Sequence, residues 1–247
     1  MRTLFEDRFA PITSTAGFLK LPFDRAVSAL VGWRRGLGTS VTVSEKRDPF
    51  PAVLCSLEPL TGGAYPRELL VEAAGGWTAY FDCGLQGTDA VPVISYLSKL
   101  VACEGLAIAA IPHTVDSDGR TGRMGSVHFQ MFGPVKTGFL NFVRVVAVDY
   151  DGQRWVFTTH GTEQPFEEPD AYRSARVRDR FTSDMLERYC LALGLRAFDP
   201  AAYGPRAALL VSDVDTPADG LVKSLEEVQE WLRIVPGAAA SKSAQAR

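Results

Sequence analysis

Residues 143–160 read VRVVAVDYDGQRWVFTTH, two apolar runs joined by Asp151-Gly152, and this stretch decides the fold. An Asp-Gly dipeptide supplies the backbone angles of the tight turn that joins two antiparallel strands. With Asp151 and Gly152 as the two loop residues, Tyr150 faces Gln153, Val148 faces Trp155 and Val146 faces Phe157. On the opposite side Ala147 faces Val156, Val145 faces Thr158 and Val143 faces His160. Both sides are substantially apolar. Such a hairpin is expected near the middle of a sheet that helices or loops cover on both faces, at least in part.

Upstream, Val127, Phe129 and Met131 alternate with His128 and Gln130, which is the period of a strand over Val127–Phe132. Leu106–Pro112 is a further apolar strand. Before it, Val93, Ile94, Leu97, Leu100 and Val101 mark the buried stripe of a helix over 90–102, capped by Asp89 and ended by Gly105. Residues 68–82 predict a second hairpin, Glu68–Ala73 with Trp77–Asp82, around Gly75-Gly76. Nearer the start, the spacing of Phe23, Ala26, Val27, Leu30 and Val31 predicts a helix over Phe23–Arg35, followed by short strands at Ser40–Ser44 and Ala52–Leu57.

Downstream, Pro169 and Asp170 open a short helix ending near Arg180, and Thr182 or Ser183 caps another that reaches Leu193. Ala207–Ser212 adds a late strand. Leu221, Leu225, Val228 and Leu232 mark a last helix over 220–233. The fold class is therefore α+β, a multistranded, largely antiparallel sheet covered by helices on one or both faces. At 247 residues the chain stands near the upper limit for one hydrophobic core. Residues 1–237 are expected to form one domain, with 1–66 a candidate N-terminal subdomain, and the low-complexity 238–247 a disordered tail.

Charge excludes one class of partner: 26 Lys and Arg against 29 Asp and Glu leave a net charge of −3, so no nucleic acid is expected. The apolar runs fall far short of the roughly 20 residues that a membrane-spanning helix needs. Acidic residues stand where a secretory signal carries its apolar segment, so the expected compartment is the cytoplasm. Cys55, Cys83, Cys103 and Cys190 form no C-x-x-C pair and read as buried, reduced thiols. Phosphate-loop, zinc-protease, nucleophile-elbow and dinucleotide motifs are missing, so no cofactor is implied.

Several weaker constellations remain. In Gly119-Arg-Thr-Gly-Arg-Met-Gly125, backbone N–H groups with Arg120 or Arg123 suit an anion, against the plainer reading of an exposed connection. Asp82 and Cys83 follow a strand, His113 and His160 each end one, and Glu163 lies nearby. A catalytic or binding pocket at one end of the sheet would need at least three of these five to converge. The aspartates of DSDG (115–119 region, Asp116 and Asp118) and of DVDTPADG (Asp213 and Asp215) lack the ligand spacing of a calcium loop and read as turn and cap residues, so no metal is expected. Arg173, Arg176 and Arg180 lie at i, i+3 and i+7, one face of a helix that suits an acidic partner, with Glu167, Glu168, Asp170 and Asp179 near enough to neutralise it.

Two stretches, GGWTAYFDCGLQGTD (75–89) and GQRWVFTTHGTEQPFEEPDAYRSARVRDRFTSDMLERYCLALGL (152–195), resemble a group of actinobacterial proteins with no established activity. The resemblance spans roughly 69–195. It implies no catalytic residue, only that the 77–89 turn and the 164–170 connection sit side by side. The leading expectation is a non-catalytic protein that binds a protein partner, an immunity or inhibitor-like factor or an accessory subunit. Its aromatic anchors would be Tyr65, Trp77, Phe166 and Tyr172. The alternative is an enzyme or small-molecule-binding domain with its pocket at one end of the sheet; a third reading is assembly through an exposed sheet edge.

Overall fold

The computed structural model describes residues 1–116, 121–134, 140–214 and 221–237. In chain order the elements are β1 (Thr15–Leu19), α1 (Phe23–Gly36), β2 (Val41–Lys46), β3 (Leu60–Thr61), β4 (Arg67–Ala73), β5 (Trp77–Asp82), α2 (Ala90–Leu100) and β6 (Gly105–Ile111). They continue with β7 (Ser126–Phe132), β8 (Phe142–Tyr150), β9 (Trp155–Gly161), α3 (Ser183–Ala192), β10 (Tyr203–Ser212), β11 (Val222–Lys223) and α4 (Leu225–Trp231). Nine strands form one sheet in the order β2-β10-β4-β5-β1-β6-β7-β8-β9, and every neighbouring pair is antiparallel. β3 and β11 make a separate two-stranded ribbon. The expected α+β fold is the observed one.

The sheet buries both faces over most of its width. On one face Phe18, Phe81, Ile108, Phe129 and Val146 pack under α3, α4 and the N-terminal segment. On the other, Leu70, Tyr80, Ala107 and Leu210 pack under α1 and α2. β1 lies at the centre of the sheet and β2 at its edge, so the first 66 residues are woven into the same sheet as the rest. Local chemistry ends the helices: Thr182 accepts from the Met185 N–H at the start of α3, and Ser224 and Glu227 form a reciprocal cap on α4.

The hairpin that opened the reading has a different loop. Tyr150 pairs with Trp155 and Val148 with Phe157, so the loop holds four residues and β9 is shifted by two from the expected register. The Asp151 side chain explains the longer turn: it accepts from the N–H groups of Gln153 and Arg154 at 2.9 and 2.8 Å. A slip of two preserves the alternation, so the same side chains share each face. β9 is an edge strand rather than a central one, and its second half is exposed.

Other expectations are also corrected. Ala52–Leu57 is a 3-10 helix, not a strand, with Val53, Leu54 and Leu57 buried at near-threefold spacing. The 169–180 helix is two separate 3-10 turns, Ala171–Arg173 and Val177–Asp179. The last helix begins at Leu225, because Val222–Lys223 pair with β3 and Leu221 is exposed. Cys55 is exposed, while Cys83, Cys103 and Cys190 are buried. The proposed tail at 238–247 lies outside the described residues.

Candidate functional site

β5 and β6 end, β7 begins, β8 ends and β9 begins at one end of the sheet. The N-terminal segment crosses this end in a turn where Phe5, Glu6 and Asp7 take φ values of 51°, 58° and 59°. Left-handed backbone is costly for residues with a Cβ, and three in succession need strong surrounding contacts. The turn carries Asp7 inward to Arg123, whose Nη1 and Nη2 donate to its two carboxylate oxygens at 3.3 and 2.7 Å. Both side chains are less than a tenth exposed.

Beside this ion pair lies a cavity of about 680 Å³, walled by Thr3, Asp7, His113, Arg123, Trp155 and the first turn of α3. Val127, Val148 and Phe181 make its apolar wall, and Arg178, Arg233 and Val235 stand at its mouth. The His113 Nδ1 accepts from the Gly125 N–H at 3.3 Å, so a neutral His113 carries its proton on Nε2. Its ring centre lies 4.3 Å from that of Tyr150 and 5.5 Å from that of Trp155. A smaller cavity of about 370 Å³, lined by Ser14, Gln86, Ile111 and Trp231, also reaches Arg123.

Unpartnered polar atoms gather here. Among the described residues six buried side-chain atoms have no hydrogen-bond partner, and four of them, Thr3 Oγ1, Thr13 Oγ1, Ser14 Oγ and Arg123 Nε, belong to this end of the molecule. Each such group costs free energy unless something supplies its bond.

The five residues expected to share a pocket do not converge. His113 alone of them lines the cavity. His160 and Glu163 are exposed at the opposite end of β9. Asp82 and Cys83 lie in a buried network of their own. There Arg34 donates to both oxygens of Glu68 at 2.9 and 2.6 Å, and the Tyr80 hydroxyl lies 2.9 Å from Glu68 and 3.3 Å from Asp82. Asp82 accepts from the N–H groups of Gly84 and Asp89 at 2.9 and 2.8 Å, shaping the loop before α2. Burial pushes its carboxyl up to about 7, against those two backbone donors. The Cys83 thiol contacts the Thr61 hydroxyl at 3.3 Å and accepts from the Arg67 N–H at 3.4 Å. Burial raises its pKa, which disfavours the thiolate that a nucleophile needs.

The arginine stripe is likewise dispersed. Arg173 faces Asp170 at 3.7 Å, Arg176 faces Asp179 at 3.9 Å, and Arg180 donates to the Ser174 carbonyl at 2.8 Å. Glu167, expected to neutralise that stripe, is instead buried under a bidentate Arg144 at 2.8 and 2.7 Å. It also accepts from Tyr172, whose oxygen lies 2.8 Å from the Tyr189 hydroxyl. Because Tyr172 spends its proton on a carboxylate, Tyr189 donates to Tyr172 and accepts from the Glu168 N–H at 2.8 Å. This satisfied network ties residues 164–172 to the sheet and α3.

Of the aromatic anchors, Trp77 is buried and Phe166 and Tyr172 pack against the core, leaving Tyr65 exposed. Trp77, at the start of the 77–89 segment, and Glu168, in the 164–170 connection, both bond to α3 and its end: Trp77 Nε1 donates to the Leu193 carbonyl, and the Glu168 N–H to Tyr189. Of the expected anion pair Arg123 is at the cavity, while Arg120 lies outside the described residues, as do Asp118 and Asp215. Asp7, Thr3 and Trp155 were not legible as site residues; nothing in FED or in a strand tryptophan marks a cavity 116 positions away.

Fold and site together define an antiparallel α+β domain with a cavity at the end of its sheet, under the N-terminal segment. Comparison with protein-family models, with curated proteins and with solved structures finds no match. Among the described residues, no group of three or more His, Cys, Asp or Glu is placed to hold a metal ion, and no helix is long and apolar enough to cross a membrane.

Proposed function

We propose that this chain is a non-catalytic, cytoplasmic binding domain that takes a small molecule into the cavity beside Arg123. Two unpartnered buried polar atoms of residues that line that cavity, Thr3 Oγ1 and Arg123 Nε, carry the reading. Its volume falls in the range of roughly 300–1,000 Å³ in which small molecules bind. Binding is favoured over catalysis because the reactive groups are committed elsewhere: Asp7 is locked to Arg123, His113 Nδ1 is held by a backbone N–H, and Cys83 belongs to another network. A ligand-observed NMR screen of mixed small acids, amides and alcohols tests it. At least one compound is expected to bind and to raise the melting temperature. Val235→Trp, an exposed change at the cavity mouth, should abolish that binding without unfolding the protein. No binder, or binders indifferent to this plug, would refute the reading.

A second reading, an immunity or inhibitor-like factor or accessory subunit that binds a protein partner, is favoured by one further observation. Beyond α2 the sheet face carrying Gln130, Val145 and His160 side by side is half-exposed to fully exposed, and β9 beside it is an edge. A complex with the product of a neighbouring gene, dissociated by Val156→Glu and unaffected by Val235→Trp, is the expected result. A complex that ignores Val156→Glu would sink it.

A further inference from the structure

We infer that the ligand of this cavity is a small organic anion, a carboxylate or a phosphate monoester whose charged head bonds to Arg123 and whose apolar body lies against Trp155 and Phe181. The inference rests on the small-molecule reading above and assigns its chemistry. A guanidinium has five N–H donors and no acceptor. Asp7 takes bonds from Nη1 and Nη2, and Nε is buried without a partner on a side chain only 8% exposed. What completes Arg123 must therefore bring acceptor oxygens. Thr3, 4% exposed, adds a second unpartnered group on the same wall, a hydroxyl able to donate.

Charge favours an anion over a neutral acceptor. Asp7 and Arg123 neutralise each other and Asp179 faces Arg176 at 3.9 Å, so the charge that favours an anion is that of Arg178 and the start of α3. The first turn of α3, a ten-residue helix, lines the cavity with its positive end, although its own Asp184 stands there too. Arg178 is exposed at the mouth, and Arg233 shares it while pairing with Asp116 at 3.3 Å. A guanidinium donor is charged whatever it bonds, and an ionised acceptor oxygen adds a second, opposite charge that an amide oxygen lacks. The wall of Val127, Val148, Trp155 and Phe181 gives a bare inorganic ion nothing to cover, so an organic body is required.

Calorimetric titration of the full chain with 3-phenylpropionate, phenyl phosphate, 3-phenylpropionamide and inorganic phosphate tests the assignment. At least one of the two organic anions should bind at least about tenfold more tightly than the amide and than inorganic phosphate. The tighter of the two anions identifies the head group. Arg123→Lys keeps the charge but removes the fork and should weaken the preferred anion by about tenfold. Thr3→Val is nearly isosteric, removes only an unpartnered hydroxyl and leaves the Asp7–Arg123 pair intact; it should weaken the anion severalfold while the melting temperature holds. If Arg123→Lys does not fold, the Thr3→Val result and the acid-against-amide ratio decide. Equal binding of acid and amide, an unchanged affinity in Thr3→Val, or binding of neutral compounds from the mixed screen without either anion would each overturn the anion assignment and leave the small-molecule reading standing. An empty screen would remove both.

Discussion

At Asp82 the cost of burial outweighs two backbone hydrogen bonds, so a carboxyl with an ordinary value of 3.8 titrates at about 7. The single Tyr80 proton cannot serve Glu68 and Asp82 together. It goes to the nearer Glu68, at 2.9 Å against 3.3 Å to Asp82. The linkage sign follows: between about pH 4 and pH 7 the folded state binds this proton more tightly than the unfolded state, so Asp82 lowers stability as pH rises through that window. The exposed carboxylates with lowered values, Asp24, Asp151, Asp199 and Glu227, act in the opposite sense and below it. The urea midpoint should fall from pH 5 to pH 7. Asp82→Asn should start lower, because an amide cannot accept from both Gly84 and Asp89, a loss of about 1–3 kcal/mol, and should fall less steeply over the same range, Asp89 being also raised by burial. Parallel curves for the two proteins would show that Asp82 is ionised throughout. The sequence marked Asp82 and Cys83 as chemistry at a strand end, but their burial depends on strands and loops that only the fold brings over them.

Helix α2 sits on a floor of glycine. A Cβ added at Gly17 or at Gly105 would come within 2.6 Å of the Ile94 side chain, so both glycines let the helix approach the sheet closely. Gly17→Ala is expected to lose about 1–3 kcal/mol through overpacking. Gly32→Ala is the control: it lies on the exposed face of α1 with nothing near its added Cβ, and should hold or gain up to about 1 kcal/mol. Urea unfolding of the two variants decides; a Gly17→Ala protein as stable as the parent would mean that α2 shifts freely on the sheet. Element by element, strand and helix positions were largely legible because alternation and capping are local. Register was less so, since the Asp151 side chain lengthened a turn that the Asp-Gly pair suggested would be tight.

Across the whole molecule, distant segments meet at one sheet end. Asp7 pairs with Arg123 116 positions on, the N-terminal turn closes against the last described residues through the Gly237 N–H and the Glu6 carbonyl, and α3 supplies a wall of the same cavity. The sequence by itself determined an antiparallel α+β fold, the principal hairpins and Thr182 as the cap of α3. Those properties follow from the two-residue period of strands and from side chains acting on neighbouring backbone. Only the tertiary structure decided the strand order, the edge position of β9, the dispersal of the arginine stripe, the separation of His113 from Cys83 and His160, and the cavity itself. Each of these depends on which remote segments pack together. Chain closure over long loops is only weakly sensitive to their length, so spacing along the chain does not say which buried charge will find which partner.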